Sequence, residues 1–273
     1  LALLSPGFWL SFGGVLLLSA FMPGTAEQGL LRPFMRAQWV STLGLLPLTV
    51  AFFGQATLLG PIANMLAIPW ISLMVVPLAL LGCVFAGIPA ISGAIWHMSA
   101  WLMEVLWSVL IWAGQSPVAA LYFPEASVSA VLVAILATVF LLMPESLPGK
   151  WLGLPLLFPL LWPRLPEVPH GSFNVAMIDV GQGLSVLVKT RRHVLLYDTG
   201  AGKAEGFSQG RSVIVPALRA RGIDRLDVVV ISHGDMDHAG GLPAVRESIP
   251  ITSLQASEGA LAGEYRRCRA GSS

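Results

Sequence analysis

The sequence has 273 residues, of which 55% are hydrophobic and only 11% charged, with a formal net charge of +1. The charges are divided very unevenly. Three basic and four acidic residues occur up to Lys150, against thirteen and eleven from Arg164 onward. The first part therefore has the composition of a membrane protein and the second that of a water-soluble domain. No polybasic block is present, so charge alone does not indicate nucleic-acid binding, and two cysteines exclude a disulfide framework.

The first 162 positions contain several apolar runs that are candidates to cross a bilayer core of about 30 Å. The clearest runs cover residues 8–22, 70–88, 92–113 and 128–143, while 38–53 and 151–162 are shorter or broken by proline. These runs predict five to seven membrane segments. An apolar soluble core, the alternative, would need polar helix faces that these runs lack.

Proline recurs through the apolar runs, at Pro47, Pro61, Pro69, Pro77 and Pro89. Each proline removes a backbone donor, so we expect kinked, broken or re-entrant helices. Broken helices persist in lipid only where protein or water satisfies the freed backbone groups. The pattern favours a transport-type bundle over a passive anchor, although proline is also common in ordinary membrane helices.

One predicted helix has a polar stripe, because His97, Glu104 and Ser108 share a face if residues 92–113 are helical. An ionisable residue at membrane depth usually faces a bundle interior or a pore. His97 and Glu104 are therefore candidate channel residues, and Asn64 is a third. The alternatives are a packing ion pair between His97 and Glu104, and an interhelical hydrogen bond from Asn64.

Three motifs in the apolar half resemble the competence region of ComEC-type DNA-internalisation proteins. They are residues 38–47 (QWVSTLGLLP), 53–55 (FGQ) and 61–69 (PIANMLAIP), and residues 5–12 (SPGFWLSF) are similar to the same family's membrane core. The resemblance covers about the first 160 residues. It implies an inner-membrane channel for single-stranded DNA, with the lipid bilayer and other competence proteins as further partners.

A proline-rich linker at residues 164–171 is expected to join a membrane domain, 1–163, to a soluble domain, 172–273. Strand patterns follow at 173–180, 184–189, 194–197 and 226–231, and a helical one at 210–220. Two imidazoles and two carboxylates come directly after the last, buried strand. This spacing predicts a site for Zn²⁺ or Mn²⁺, and the alternative is a solvated acidic turn. The candidate ligands are His233, Asp235, Asp237 and His238.

This cluster resembles the His-x-His-x-Asp-His signature of the metallo-β-lactamase superfamily. The resemblance implies one or two ions, with His233 at the first and Asp237 and His238 at the second. Asp235 stands where the superfamily has its second histidine, which puts the first ligand set in doubt. Further ligands would lie beyond Ser273. The resemblance also implies a catalytic role for Asp237.

An upstream motif, Asp198-Thr199-Gly200, strengthens the resemblance and implies that Asp198 is a catalytic-site carboxylate that positions the ligand loop. Asp179 and Gln182 fall in a loop expected near the metal. They are weak substrate-binding candidates, with turn formation as the alternative.

The predicted fold is a multi-pass α-helical membrane bundle followed by the N-terminal half of an α+β (αβ/βα metallo-β-lactamase-like) domain. We expect a fragment at both ends, inactive alone, of a protein that takes up transforming DNA and has a metal-dependent nuclease domain. A membrane-tethered hydrolase of a non-nucleic substrate and a vestigial or regulatory metal domain are the alternatives. Arg32 and Arg36 indicate a cytoplasmic loop, but only the family resemblance implies that the soluble domain faces outward.

Overall fold

The structure is a computed structural model that describes residues 5–22, 29, 31–116, 119–144, 147–203, 206–261 and 265–268. The two chain ends that we expect to be truncated, 1–4 and 269–273, lie outside the described residues. The chain divides into two compact units, one formed by residues 1–122 and 126–161 and the other by 123–125 and 162–273. The finer division into a membrane domain, a linker and a hydrolase domain stays a prediction.

The first unit is helical apart from a small two-stranded sheet. Its helices are α1 (Pro6–Phe21), α2 (Leu31–Phe53), α3 (Gly60–Trp70), α4 (Val76–Val84), α5 (Pro89–Gly114), α6 (Val128–Leu142), α7 (Gly153–Leu156) and α8 (Phe158–Leu161). A π-helical segment, Ile71–Val75, joins α3 to α4, and a 3₁₀ turn, Lys150–Leu152, precedes α7. Strands β1 (Gln55–Ala56) and β2 (Leu121–Tyr122) pair antiparallel.

Two helices in the described residues are long and apolar enough to cross a membrane, Gly60–Val84 and Pro89–Gly114. Only 6% and 11% of their apolar windows are buried, which is the reverse of a soluble core helix. The predicted five to seven spans are therefore not confirmed. The runs 8–22 and 128–143 correspond to helices Pro6–Phe21 and Val128–Leu142, of 16 and 15 residues, which are about 24 and 22 Å long and thus shorter than the bilayer core.

Two of the prolines expected to break helices lie instead where helices begin. Pro61 and Pro89 occupy the first turns of α3 and α5. The missing N–H has no intrahelical partner in a first turn, so proline costs little there. Pro47 and Pro69 do lie inside helices, and Pro77 follows the π-helical segment within the continuous helix Gly60–Val84.

Side-chain donors from α5 reach backbone carbonyls around the π-helical segment. Ser99 Oγ donates to the Val75 carbonyl at 3.1 Å, and Trp96 Nε1 donates to the Ala79 carbonyl at 3.2 Å. The indole of Trp96 packs against Gly82, where an added Cβ would lie 2.2 Å from Nε1. These contacts hold α4 and α5 together.

The predicted channel residues all lie on the surface of this unit. Asn64, His97 and Glu104 are exposed, and no ion pair joins His97 to Glu104 among the residues that the structure describes. Ser108 donates to the Glu104 carbonyl oxygen at 2.9 Å. The structure therefore does not show the packing ion pair, and it leaves the channel role of the three residues a prediction.

The second unit is built on one six-stranded sheet. Its strands are β3 (Phe173–Met177), β4 (Val186–Thr190), β5 (Val194–Tyr197), β6 (Leu226–Ile231), β7 (Ile251–Ala256) and β8 (Arg266–Arg267), in that spatial order. Antiparallel pairing joins β3 to β4 and β4 to β5, and the pairs from β5 to β8 are parallel. Its helices are α9 (Val215–Ala220), α10 (Met236–Ala239) and α11 (Leu242–Ser248). An N-terminal helical region followed by an α/β sheet domain is thus confirmed.

The strand predictions at 194–197 and 226–231 match β5 and β6, whereas β3 and β4 are shorter or shifted from the predicted ranges. The predicted helix at 210–220 forms as a π-helical turn, Gly210–Ile214, followed by α9, with Pro216 in its first turn.

The two faces of the sheet differ in burial. One face packs on the helices, with Leu196, Leu218, Val229 and Val245 fully buried between them. On the opposite face Val175 pairs with Val188 and Met177 with Val186, and Phe173, Val175 and Met177 are more than half exposed. Within this sheet the parallel pairing of β5 with β6 places the ends of the two strands side by side, and the candidate site lies there.

Candidate functional site

The candidate metal ligands follow the end of β6. Ser232 and His233 leave the strand, and Asp237 and His238 lie in the short helix α10, which Asp235 precedes. Because β5 and β6 are parallel neighbours, Asp198 at the end of β5 lies beside the start of this loop. The structure therefore brings Asp198 to the predicted ligand loop.

Asp198 is completely buried and accepts hydrogen bonds from the loop. The Ser232 backbone N–H donates to Oδ1 at 2.7 Å, and the Ser232 hydroxyl donates to Oδ2 at 2.6 Å. His238 Nδ1 lies 2.8 Å from the same Oδ2. A buried carboxylate is costly unless donors surround it, so these contacts account for its burial. Asp198 has φ +59°, which turns the chain sharply after β5.

The four predicted ligands form two pairs rather than one closed cluster. His233 Nε2 lies 3.3 Å from Asp235 Oδ2, and His238 Nε2 lies 3.8 Å from Asp237 Oδ2. The centres of the two imidazole rings are 4.0 Å apart. Within the described part of the chain, no group of three or more His, Cys, Asp or Glu side chains is arranged to hold a metal ion.

The donor set nevertheless fits a divalent cation in its chemistry. Imidazole nitrogen and carboxylate oxygen are ligands of Zn²⁺, and a larger oxygen share suits Mn²⁺. The Nδ1 atom of His238 is held by Asp198, so its Nε2 atom is the one available to a metal. Asp235 and His233 are the more exposed pair, with 77% and 47% of their side chains accessible, while His238 is 20% exposed.

Three loops meet at the site through backbone contacts. Leu184 N–H donates to the Asp237 carbonyl at 3.3 Å, Thr199 N–H donates to the His238 carbonyl at 2.7 Å, and Gly200 N–H donates to the Leu184 carbonyl at 3.0 Å. The approach is so close that a Cβ on Gly183 would lie 2.3 Å from the Asp237 carbonyl oxygen. The metal loop, defined as residues 232–241 with the four candidate ligands, is therefore held by its backbone as well as by Asp198.

The two weak substrate-binding candidates have different positions. Asp179 Oδ1 accepts the Gly181 N–H at 3.0 Å, which is the bond of an Asx turn and favours the turn-forming alternative. Gln182 lines a crevice of about 760 Å³ that reaches Asp237.

The crevice also includes two residues that the sequence did not single out, Lys203 and Phe207. Both are exposed, and their backbones pair through Lys203 N–H to the Phe207 carbonyl at 3.0 Å. A cation and an aromatic ring therefore lie beside a candidate ligand. No local motif marks these residues, because they meet Asp237 only in the folded structure.

Comparison with known proteins identifies the family. Residues 1–148 match the family model described as competence protein. Over 269 residues, 98% of the chain, the sequence is 36% identical to Competence protein ComA of Neisseria gonorrhoeae, of which it covers 37%. The chain belongs to the ComEC-type competence protein family. This confirms the resemblance predicted from the apolar motifs.

Two further relatives match a similar share of the chain. Recombination protein 2 of Haemophilus influenzae is 30% identical over 298 residues, 92% of the chain and 36% of that protein. Uncharacterized protein YcaI of Escherichia coli is 28% identical over 268 residues, 92% of the chain and 34% of that protein. The chain spans about a third of the length of these relatives. Residues 178–267 match the model of the metallo-β-lactamase superfamily, a range that includes Asp198 and the whole metal loop.

The close approach at Gly183 yields a prediction for this competence protein. Gly183 and Gly206 both have positive φ, +127° and +114°, but nothing lies within 4 Å of a Cβ on Gly206. Alanine at either position should cost about 1–3 kcal/mol of backbone strain. Gly183→Ala should add a clash with the Asp237 carbonyl and loosen the metal loop. Hydrogen exchange of residues 232–241 should therefore be faster in Gly183→Ala than in Gly206→Ala, and equal exchange in the two variants would contradict the packing.

Proposed function

We propose that the protein takes part in the uptake of single-stranded transforming DNA through the inner membrane. In this proposal the helical unit forms part of a multi-pass conduit, and the sheet unit faces outward and is part of a metal-dependent nuclease. The observation that carries the nuclease part is the convergence of Asp198, His233 and His238 at the ends of two parallel strands. The names of two relatives, a competence protein and a recombination protein, support the DNA part.

The conduit part rests on the helical unit. Two apolar helices with exposed side chains suit a lipid environment, and the π-helical segment within Gly60–Val84 is an interruption of the kind that membrane proteins keep where helices meet. Glu104 and His97 lie on one exposed face of α5. A carboxylate exposed to lipid is expensive, so this face should lie toward other protein or water in the assembled conduit.

The residues that would hold a metal are His233 and His238 through Nε2, with the carboxylates of Asp235 and Asp237. A bound divalent ion supplies a Lewis acid at a phosphoryl oxygen and activates water near neutral pH. The chain's own contribution is positional. Asp198 fixes the His238 ring, and the backbone bonds from Leu184 and Thr199 hold the loop that carries Asp237.

The crevice favours a nucleic-acid strand over a small neutral ester. Phe207 is 66% exposed beside Asp237 and offers a face on which a base can stack. Lys203 lines the same crevice and supplies a positive charge for a phosphate. Stacking and phosphate contact together are the means by which proteins bind single strands without sequence preference.

Removing candidate ligands should abolish metal binding and DNA degradation. In the full-length protein, His233→Ala and Asp237→Ala should each lower metal affinity by more than the about 10- to 100-fold cost of losing an outer-shell partner. Metal content of purified protein, and release of nucleotides from labelled DNA added to intact cells, measure the two effects. Added DNA meets the sheet unit only if that unit faces outward, so the cell assay also tests orientation.

His193→Ala is the matched control, because His193 lies in a turn with 77% of its side chain exposed. It should leave both measurements unchanged. Unchanged metal content and DNA release in the two ligand variants would exclude the nuclease and leave a vestigial or regulatory domain. A metal-loaded protein that hydrolyses esters but leaves DNA intact would establish the non-nucleic alternative.

Binding of single-stranded DNA should depend on the crevice even when metal is chelated. Phe207→Ala should weaken the binding free energy by about 1–3 kcal/mol, because a stacked base is lost. Lys203→Gln should reduce the slope of log K against log salt concentration by about 0.7, because one phosphate contact is lost. Phe173→Ala is the control for the aromatic ring, since Phe173 is also 66% exposed but lies in β3. Fluorescence anisotropy with a labelled oligonucleotide in EDTA measures the affinities. Equal losses of affinity in Phe207→Ala and Phe173→Ala would argue against DNA binding in the crevice.

The conduit assignment predicts that the α5 stripe affects transport. Glu104→Gln and His97→Gln should change transformation frequency at equal protein levels, because both groups would face the interior of the conduit. Glu125→Gln, at an exposed carboxylate outside the helices, should not. Wild-type transformation in both stripe variants would remove these residues from the DNA path.

A further inference from the structure

A hydrogen-bonded chain through Ser232 connects the two candidate metal histidines. Ser232 is half-buried between Asp198 and His233. Its Oγ lies 2.6 Å from Asp198 Oδ2 and 2.9 Å from His233 Nδ1. Asp198 Oδ2 lies in turn 2.8 Å from His238 Nδ1, so one carboxylate oxygen contacts one histidine directly and the other through a hydroxyl.

The chemistry of the partners sets the direction of each bond. A carboxylate only accepts hydrogen bonds, so the Ser232 hydroxyl proton must point to Asp198. That leaves Ser232 Oγ as an acceptor toward His233, and His233 must donate from Nδ1. His238 must also donate from Nδ1, because its partner is the same carboxylate. Both rings thus carry the proton on Nδ1 and present an unprotonated Nε2 outward.

We propose that Ser232 is a positioning residue that sets the tautomer and ring orientation of His233, so that Nε2 of His233 is preformed as a metal ligand. The inference rests on the proposed metal-dependent function and extends it to a residue outside the ligand set. A single serine gives His233 the orientation that Asp198 gives His238. The two Nε2 atoms can then act together, because the ring centres lie 4.0 Å apart.

The other side of each ring faces a carboxylate, and an unprotonated Nε2 and a carboxylate oxygen repel each other unless a cation lies between them. His233 Nε2 lies 3.3 Å from Asp235 Oδ2, and His238 Nε2 lies 3.8 Å from Asp237 Oδ2. Each imidazole is thus held at Nδ1 from the interior, and each Nε2 faces a carboxylate at the surface. A cation placed between an Nε2 lone pair and a carboxylate would contact both, and outer partners of this kind tune metal affinity.

The test uses the intact protein and two substitutions. Ser232→Ala should weaken zinc affinity by about 10- to 100-fold, measured by competition with a chelating dye, and Ser232→Thr should restore it because the hydroxyl is retained. Ser212→Ala is the control, since Ser212 Oγ donates to the Ser208 carbonyl, at 3.0 Å, one turn earlier in the chain and away from the candidate ligands in sequence. Wild-type affinity in Ser232→Ala would overturn the proposal.

A second readout needs no metal. In intact protein labelled with ¹⁵N-histidine, two-bond ¹⁵N–¹H spectra recorded well above the ordinary imidazole pKa report which nitrogen carries the proton. We expect the Nδ1–H form for His233 in the wild type and in Ser232→Thr, and a shift toward Nε2–H in Ser232→Ala. An Nε2–H form in the wild type would overturn the inference, even if a variant failed to fold.

The two readouts separate this inference from the proposed function. If the wild-type protein binds no metal, the nuclease proposal is wrong. The position of the proton on His233 would still decide whether Ser232 sets the tautomer of that ring. A protein that binds zinc equally well with and without the Ser232 hydroxyl would keep the nuclease and remove the positioning role.

Discussion

A buried carboxylate at the end of β5 is the constraint on which the site depends. Asp198 is inaccessible to solvent and accepts three hydrogen bonds from a neighbouring loop, two from Ser232 and one from His238. Burying a charge is unfavourable unless donors replace water, so the carboxylate and the loop stabilise each other. The parallel pairing of β5 with β6 brings them together. That contact fixes the loop after β6 and orients the rings of His233 and His238. The Nε2 atoms of both rings are then left accessible to a ligand.

The helical unit also joins neighbouring elements through polar side chains. Ser99 and Trp96 of α5 donate to the carbonyls of Val75, which precedes α4, and Ala79, which lies in α4. In both units a few side-chain hydrogen bonds thus connect adjacent elements. A buried acceptor that loses its donor is left unsatisfied, so such contacts are where the structure tolerates substitution least.

Hydrophobic runs in the sequence predicted two central strands of the sheet correctly. The apolar runs at 194–197 and 226–231 correspond to β5 and β6, and the turn after β5 holds the predicted Asp198. Proline was less informative, because it breaks a helix in the interior but begins one in the first turn, and Pro61 and Pro89 begin helices. Lys203 and Phe207, which follow β5, line the crevice with Asp237, which follows β6, and Ser232 contacts Asp198, 34 residues earlier. These contacts form only when the two loops pack together, so no spacing rule marked Lys203, Phe207 or Ser232.

The central claim is that the loop organised by Asp198 binds a divalent ion through the Nε2 atoms of His233 and His238. X-ray absorption at the zinc edge of the zinc-loaded intact protein tests it most directly. The account predicts imidazole scattering from at least two histidines with Zn–N distances of about 2.0–2.1 Å. Part of that scattering should be lost in His238→Ala. A spectrum fitted by water and carboxylate oxygens alone, and unchanged by that substitution, would contradict the account.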